Sequence, residues 1–402
     1  MYLYFTYLAI CAKISHKEAG RMFGLMFIVM LAVFGGANYY IARRLYQGAV
    51  RLFPSLKFWM LLAFFGVMFV IMAVGFFGSM SSGAMGGLWH VIDTVSSYWM
   101  GIFVYLLLFT ACADVVALIV HFCRVSVATG TLFRFVSGLA IVAITLTTVL
   151  YGTIHASTVK HISYDIDIPK SVDISDLNIV MISDLHLGAV RSEKRLPEIV
   201  EEINSRSPDV VCIAGDFFNT DYSCIRNPEK AIETLKGIKS TYGVYVCLGN
   251  HDAGGTAQKM REFIDECGFN LLCDELAVID GRLIIIGRLD SSPIGSFGGE
   301  KRMPTEALLA ELDTSLPVIV LDHNPSHIDE YTGGIDLILS GHTHKGQIFP
   351  GSLITNALFT VDHGHFQKDS GSPHVIVTSG VGTWGLPMRV GTDSEIVSIT
   401  IN

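Results

Sequence analysis

Charged residues are scarce in this chain and unevenly distributed along it. Only 16% of its 402 residues are Asp, Glu, Lys or Arg, whereas 50% are hydrophobic and the mean hydropathy is +0.48. Residues 1–156 contain just 3 of the 37 acidic residues and 9 of the 28 basic ones. A chain of this composition is not one ordinary soluble domain. Residues 157–402, in contrast, have the length and composition of a globular domain with its own core.

Two further features that the chain lacks exclude particular kinds of site and partner. The eight cysteines include no CxxC pair, and five of them, an odd number, follow residue 156. Neither a zinc ribbon nor a disulfide framework is therefore indicated, and free buried thiols are expected. The domain also lacks an excess of positive charge, because its 19 basic and 34 acidic residues give a net charge of −15. This argues against nucleic acid as a partner.

The first 156 residues predict an all-α transmembrane segment. Four apolar stretches, at about 22–41, 58–79, 98–121 and 135–155, are long enough to span a bilayer. Buried core helices are the alternative, but none of the four has an amphipathic stripe. Residues 1–12 are also apolar but too short to span, so we interpret them as interfacial. A fifth span there would reverse the topology.

The basic residues of the short loops predict the orientation. The second loop, at about 80–97, has no Lys or Arg, whereas the first has Arg43, Arg44, Arg51 and Lys57. The positive-inside rule then places the globular domain outside the cytoplasm, in an integral plasma-membrane protein. Lys13, Lys17 and Arg21 argue against this orientation. Asp114, within the third span, is either a functional carboxylate or a hydrogen-bonded residue facing the bundle.

After a polar connector at 157–175, which predicts an edge strand, strands and helices alternate. Strands are expected at 178–183, 209–214, 243–248, 317–321, 335–339, 374–378 and 395–401, with a hairpin at 276–288 and helices near 193–205, 228–238 and 256–267. A βαβαβ opening followed by strand-rich sequence favours two packed sheets flanked by helices.

Five of these strands end in polar clusters. Asp184 and His186 follow the first strand, and alternation along an extended chain would point both side chains the same way. The other clusters contribute Asp216, Asn250, His251, Asp252, His323, His342 and His344. Sites in α/β sheets assemble beyond the carboxyl ends of the strands. Imidazoles and carboxylates suit two divalent ions such as Mn, Zn or Fe.

Each cluster alone is weak evidence, since a Gly-Asp pair is usually a turn and an Asp-x-His step can simply cap one. Five clusters in order, each closing a strand, make coincidence improbable. The glycines before Asp216, Asn250 and His342 are expected to let the backbone turn sharply and present each ligand.

The order Asp-x-His, Gly-Asp, Gly-Asn-His-Asp, His, Gly-His-x-His resembles the calcineurin-like metallophosphoesterase superfamily, across residues 176–402. The segments 341–347 and 379–387 are similar to the branch of membrane-associated bacterial phosphodiesterases of the YkuE/YaeI type, and to some UDP-diacylglucosamine pyrophosphatases. The resemblance implies an α/β (α+β) fold, a four-layer αββα sandwich. It does not cover residues 1–156, the transmembrane segment of about four helices.

The resemblance also implies roles for individual residues. One metal would be held by Asp184, His186 and His344. The other would be held by Asn250, His323 and His342, with Asp216 bridging the two. The catalytic pair would be His251, which steadies the phosphate or protonates the leaving oxygen, and Asp252, which orients it.

Other polar residues near the motifs have competing interpretations. Lys345 stands where the branch often has glycine, and either binds substrate phosphate or is solvated. Arg191 contacts phosphate or is a surface charge at a helix start. His363 and His365 are expected in a substrate-side loop or a solvated turn, and Trp384 in the wall of the site or in the core.

The expected function is a membrane-anchored, dinuclear-metal-dependent phosphoesterase. It would act as a phosphodiesterase or pyrophosphatase on a lipid-linked or envelope substrate, by in-line attack of a metal-bound hydroxide. The expected partners are a phosphorylated small molecule or lipid and the membrane lipid itself, and no protein partner is predicted. The alternatives are a non-catalytic membrane receptor or scaffold that binds metal or a phosphorylated ligand, and a transporter that uses Asp114.

Overall fold

The computed structural model describes residues 16–50, 52–78, 86–123, 131–170, 177–310, 312–331 and 333–402. They pack into two compact units, one within residues 1–71 and 102–146 and the other within residues 72–101 and 147–402. The second unit contains the predicted globular domain and short parts of the preceding helices. Its limits differ from the predicted boundary at residue 156, because Gly101 and Gly152 pack directly against Met388 and Val390.

The N-terminal region is helical, as its apolar composition predicts. Its helices are α1 (His16–Ala49), α2 (Phe58–Gly78), α3 (Gly86–Phe122) and α4 (Thr131–His155). Within the described residues, three stretches are long and apolar enough to cross a membrane: Phe58–Gly75, Gly87–Phe122 and Leu132–His155. The predicted span 22–41 lies on α1, whose side chains are described only in part, and residues 1–12 lie outside the described residues.

The helix α3 differs from the prediction because it begins at Gly86, within the stretch 80–97 that was expected to be a loop. Residues 88–97 contain neither glycine nor proline, so nothing in them interrupts a helix. Trp89 and His90, near the start of this helix, line a small cavity with Gly188 and Cys224 of the domain.

Asp114 is paired in the first unit. It accepts a hydrogen bond of 2.6 Å from the hydroxyl of Tyr40 and forms an ion pair with Arg44. Arg44 lies in α1 rather than in a loop, since α1 continues to Ala49. An intramembrane carboxylate that is paired in this way matches the bundle-facing interpretation. The transporter alternative required a free carboxylate at Asp114, and this carboxylate is paired.

Two six-stranded sheets form the domain. The strands are β1 (Val159–Ile166), β2 (Leu177–Ile182), β3 (Val210–Ala214), β4 (Val244–Cys247), β5 (Asn270–Leu271), β6 (Glu275–Ile279), β7 (Leu283–Gly287), β8 (Val318–Leu321), β9 (Leu337–Ser340), β10 (Gly364–Phe366), β11 (His374–Val377) and β12 (Ser394–Ile401). The sheet orders are β1-β12-β2-β3-β4-β5 and β10-β11-β9-β8-β7-β6. Parallel pairing of β2, β3 and β4, and of β7, β8 and β9, brings their carboxyl ends to common edges.

The sheets and helices form the four layers that the resemblance implies. Alternate residues of β2 show this, because Ile179 and Met181 face the second sheet whereas Val180 and Ile182 face the helices. The remaining helices are α5 (Ser192–Asn204), α6 (Pro228–Leu235), α7 (Ala257–Glu266), α8 (Thr305–Leu309) and α9 (Gly351–Leu358). α5, α6 and α7 cover the first sheet, and residues 305–331 cover the second. The predicted strands and helices of the domain are confirmed to within a few residues.

Candidate metal centre

The seven predicted metal ligands lie just beyond the carboxyl ends of five strands. These strands are neighbours in their sheets, and the two sheets pack face to face, so the loops meet at one edge. The side chains brought together are Asp184 and His186 after β2, Asp216 after β3, Asn250 after β4, His323 after β8, and His342 and His344 after β9.

The first group of ligands consists of Asp184, His186 and His344, all buried. The Nε2 atoms of the two histidines lie 3.1 Å apart. Oδ1 of Asp184 lies 3.2 Å from Nε2 of His344 and 3.8 Å from Nε2 of His186. The other oxygen of Asp184 accepts hydrogen bonds from the hydroxyl of Ser183 and the backbone N–H of His342. This leaves Oδ1 directed at the two imidazoles.

The second group consists of Asp216, His323 and His342. Oδ2 of Asp216 lies 3.1 Å from Nε2 of His323 and 3.8 Å from Nε2 of His186, so one oxygen adjoins both groups. Oδ1 of Asp216 accepts the backbone N–H of His251. Oδ1 of Asn250 lies 2.8 Å from Nδ1 of His342, which joins Asn250 to this group.

The donor atoms fit divalent metal ions. Nδ1 of His323 donates a 2.8 Å hydrogen bond to the carbonyl of Ala214, which leaves Nε2 to act as a ligand. Oδ1 of Asp184 has no hydrogen-bond partner among the described residues, and Nε2 of His323 faces the carboxylate of Asp216. Burial lowers the pKa of His186 and of His344 well below the usual value, so both imidazoles are neutral, as metal ligation requires. A buried acceptor atom that receives no hydrogen bond destabilises the fold unless a bound cation interacts with it.

Backbone strain is concentrated in the ligands themselves. Five of the seven have positive φ: Asp184 (54°), His186 (47°), Asp216 (49°), His342 (71°) and His344 (48°). Left-handed backbone is unfavourable for residues with a Cβ and persists where the surroundings enforce it. Asp184 and His186 therefore converge because both are left-handed after β2 has ended, not through alternation along an extended strand as predicted.

Two of the three glycines that precede ligands serve a different purpose from the one predicted. Only Gly215 has positive φ, at 77°, whereas Gly249 and Gly341 do not. A Cβ at Gly249 would overlap the backbone N and Oδ1 of Asp216, and one at Gly341 would overlap Ser183 and Asp184. Close packing against the ligands, rather than a sharp turn, excludes a side chain at these two positions.

His251 lies against the first group without belonging to it. Its ring centroid is 5.2 Å from that of His186 and 5.8 Å from that of Trp384. Its Nδ1 is buried and has no hydrogen-bond partner among the described residues. The imidazole is thus placed to exchange a proton or hydrogen bond with a molecule bound beside the ligands.

The prediction that Asp252 orients His251 is wrong. The carboxylate of Asp252 is fully buried and accepts backbone N–H groups of Phe217 (3.2 Å), Phe218 (2.8 Å) and Gly249 (2.7 Å). It therefore ties the loop after β3 to the loop after β4, because it satisfies amides of both. Its role is to hold the loops that carry Asp216 and Asn250.

Arg389 was not singled out from the sequence, yet it is fully buried beside the centre. Its guanidinium donates to the carbonyls of Ser379 (2.7 Å), Gly380 (3.1 Å) and Gly382 (2.7 Å), and one of its nitrogens is 3.4 Å from Nδ1 of His344. Burial lowers its pKa to about 10. The only sequence signal was its position just after the glycine-rich segment 379–387.

Gln347 joins the two segments that carried the resemblance. Its side-chain amide donates to the carbonyls of Trp384 (2.9 Å) and Leu386 (3.0 Å), and its oxygen accepts the N–H of Trp384 (2.8 Å). These three bonds fix the loop that presents Trp384 beside His251. The indole is half exposed, as expected for a residue in the wall of the site rather than in the core.

The two predicted substrate-binding cations lie in different places. Lys345 is half-buried, with φ 50°, directly after His344. Arg191 is exposed at the start of α5 and lines a cavity that includes none of the seven ligands. Substrate binding by either residue stays a prediction.

His363 and His365 are not in a solvated turn. Nε2 of His363 lies 3.1 Å from the buried carboxylate of Glu395, which also accepts from Thr378 (2.8 Å) and the N–H of Ser379 (2.9 Å). His365 lies on β10 and pairs with His374. The sequence did not reveal these contacts because the partners are distant along the chain.

Comparisons with known proteins agree with this geometry. A family profile, calcineurin-like phosphoesterase, matches residues 177–346. The chain is 30% identical to the uncharacterized metallophosphoesterase YkuE of Bacillus subtilis, over 61% of this chain and 85% of that protein. The chain belongs to the calcineurin-like phosphoesterase family. The two ligand groups are candidate sites for two divalent metal ions.

The similarity to family members extends beyond the domain. The uncharacterized metallophosphoesterase Cj0846 of Campylobacter jejuni is 29% identical over 94% of this chain and 99% of that protein. A Danio rerio protein named as a transmembrane protein with metallophosphoesterase domain is 29% identical over 78% of this chain and 74% of that protein. The chain covers 60% of the length of two curated relatives from Helicobacter pylori.

Proposed function

We propose that the protein is a membrane-anchored phosphodiesterase or pyrophosphatase whose substrate is lipid-linked or part of the cell envelope. The observation that carries the proposal is the double role of the loop 384–390. This loop presents Trp384 beside His251, and it also packs against the apolar helices, with Met388 against Gly101 and Val390 against Gly152. The wall of the metal centre is thus continuous with helices able to cross a membrane.

Exposed apolar side chains near the centre support the same substrate class. Phe349 packs its Cβ beside Gly391, and α9 follows directly with Leu353, Ile354 and Leu358 exposed. α9 contains no charged residue and buries none of its side chains. An uncharged helix with exposed apolar residues suits the boundary of a lipid layer better than water. A substrate with an acyl or prenyl chain would find an apolar path to the site.

The chain's own residues supply binding and proton transfer. Bound metal ions would be held by the seven ligands and would polarise the phosphoryl oxygens and the attacking water. His251, with a free ring nitrogen at the edge of the site, holds the phosphate or protonates the leaving oxygen. Lys345 adds a positive charge beside His344, where a substrate phosphate would bind. Trp384 shields His251 on one side and so limits access of bulk water.

The proposed location is the plasma membrane, with the domain on the extracytoplasmic side. The support is the distribution of basic residues, because loops one and three carry Lys or Arg and the second loop carries none. A cysteine placed between residues 80 and 85, in a chain whose native cysteines are replaced by serine, tests it, since a membrane-impermeant thiol reagent should label it in intact cells. Labelling only after lysis would reverse the orientation.

The experiment for the activity uses the whole purified chain in lipid nanodiscs, loaded with Mn²⁺. Hydrolysis of a soluble aryl phosphodiester and of lipid-linked diesters and pyrophosphates is measured in parallel. We expect turnover, higher with the lipid-linked compounds, that D216N reduces by at least about 100-fold. The matched control is D265N, an exposed carboxylate on α7, which should retain full activity. Two bound metals without turnover of any phosphoester would instead indicate a metal-binding receptor or scaffold.

A further inference from the structure

A cavity of about 580 Å³ lies in the second unit, beside the first turns of α3. Thr94 and Tyr98 of α3 form one wall, and the starts of α5 and α6 form the other. The residues that line it include none of the seven metal-ligand candidates. The volume is within the range of cavities that bind small organic ligands and far larger than a phosphate ion requires.

Four basic side chains surround this cavity: Arg191, Lys194, Arg226 and Lys230. Within the described part of the chain, no carboxylate lies at ion-pair distance from any of them. The acidic residue of the lining, Glu193, is occupied, because its carboxylate accepts the backbone N–H groups of Arg226 (2.8 Å) and Asn227 (3.2 Å). The positive charge of the four side chains is thus only partly offset, by Glu193 in the lining and by Asp93, whose carboxyl group interacts electrostatically with Arg226.

This local excess of positive charge contrasts with the domain as a whole, residues 157–402, whose net charge is −15. Clustering of unpaired cations in an otherwise acidic domain favours an anionic ligand at that place. Arginine and lysine together provide both the forked and the point-charge contacts that phosphate oxygens accept.

Apolar side chains also line the cavity, and one of them belongs to a helix able to cross a membrane. Tyr98, Val190 and Leu196 line the cavity, and Tyr98 lies within the apolar stretch Gly87–Phe122. A ligand that satisfies this site has a phosphate at one end and a hydrocarbon chain at the other. A soluble phosphate ester would leave the apolar wall unused.

We infer that this cavity binds an anionic phospholipid. The phosphate contacts the four basic side chains, and an acyl chain lies along Tyr98 and Leu196 beside α3. The inference depends on α3 lying in a membrane, but it does not depend on hydrolysis at the metal centre. It therefore gives the site at Arg191 a role separate from the substrate contact that the sequence predicts.

The test is lipid binding by the whole chain in neutral-lipid nanodiscs, with native mass spectrometry to count bound phosphatidylglycerol. We expect saturable binding of phosphatidylglycerol in preference to phosphatidylcholine. K194Q/K230Q should weaken it by about 30-fold, since each basic residue contributes on the order of a factor of five at a lipid surface. K194R/K230R should retain binding. K236Q/K239Q, which removes the same charge from exposed positions outside the cavity, should bind as the unmodified chain does.

Three results would overturn the inference. One is unchanged phosphatidylglycerol binding by K194Q/K230Q, and another is an equal loss in K236Q/K239Q, which would indicate a diffuse charge effect. The third is displacement of the lipid by glycerol phosphate at the same concentration as by intact phospholipid, which would make the cavity a soluble-anion site. Activity on the soluble aryl phosphodiester is recorded separately, so a failure of lipid binding is distinguishable from a failure of the phosphoesterase.

Discussion

The Cα of Gly249 lies against Asp216 so closely that a Cβ there would overlap the backbone N and Oδ1 of this carboxylate. G249A is therefore expected to displace the carboxylate of Asp216, whose other oxygen, Oδ2, adjoins both ligand groups. We predict that bound metal falls from two ions to one or none per chain and that activity falls by about 100-fold. Elemental analysis and phosphodiester hydrolysis measure the two effects. Gly255, whose Cβ would meet nothing within 4 Å, provides the control G255A, and equal metal loss in both variants would contradict the packing argument.

His251 should separate turnover from metal binding. Its ring contacts His186 and Trp384 but is outside both ligand groups. H251A is expected to keep two metals per chain while turnover falls by about 10²–10⁴-fold, the range typical of a lost general acid. A leaving group of low pKa, which needs little protonation, should recover much of the rate. Loss of metal in H251A would make His251 a ligand instead.

Arg389 should be important for stability. R389M would leave the carbonyls of Ser379, Gly380 and Gly382 without their buried donor. We expect a loss of about 3 kcal/mol in the free energy of unfolding, with R389K intermediate. Thermal unfolding in the presence of a chelator measures this without the contribution of bound metal. R206Q, at an exposed arginine, should change stability by less than about 0.5 kcal/mol.

Glu395 should make stability dependent on pH in the acidic range. Burial alone would raise its pKa, but His363, the N–H of Ser379 and the hydroxyl of Thr378 outweigh burial and hold the pKa below the usual value. A lowered pKa contributes stability above the unfolded-state value of 4.5, and that contribution is lost as the pH falls through the folded-state value. E395Q should therefore be less stable than the unmodified chain at pH 7, by about 1–2 kcal/mol, and the difference should shrink below pH 4. A difference independent of pH would contradict this.

The exposed face of α9 should affect lipid-linked substrates selectively. L353S/I354S replaces two apolar side chains that are 64% and 60% exposed. We expect KM for a lipid-linked substrate in vesicles to rise by about 10-fold, whereas hydrolysis of the soluble aryl phosphodiester is unchanged. The matched control L276S/V278S alters two exposed apolar residues of β6 and should affect neither. Equal effects on both substrates would show that α9 serves the site in another way.

Much of the domain was predictable because its signals are local. The strands β2, β3 and β4 are uninterrupted apolar runs, and each ends at a polar cluster, so their order and the edge where the ligands meet follow from the sequence. The reason why the side chains of Asp184 and His186 converge was not predictable. Left-handed φ at Asp184 and His186 is enforced by tertiary packing, which no local pattern records.

The roles of residues whose partners are distant along the chain could not be predicted from the sequence either. Asp252 follows His251 directly, so an interaction between neighbours was the simplest hypothesis, yet its oxygens accept amides from residues 217, 218 and 249. Arg389 lies in no motif of its own, and only the fold shows the carbonyls around it. Charged side chains that are buried completely carry no sequence signature that distinguishes them from exposed ones.

The end of α4 is hydrogen-bonded into the domain. The carbonyl of Gly152 accepts the N–H of Arg389 (2.9 Å), and the carbonyl of Ala156 accepts the hydroxyl of Ser394 (2.9 Å). A fragment beginning at residue 157, the natural choice for soluble expression, would break both bonds and uncover Met388 and Val390. Such a fragment should aggregate and lose the fixed position of the loop beside His251. Crystallisation and inhibitor screening should therefore start from the whole chain in detergent or nanodiscs rather than from the excised domain.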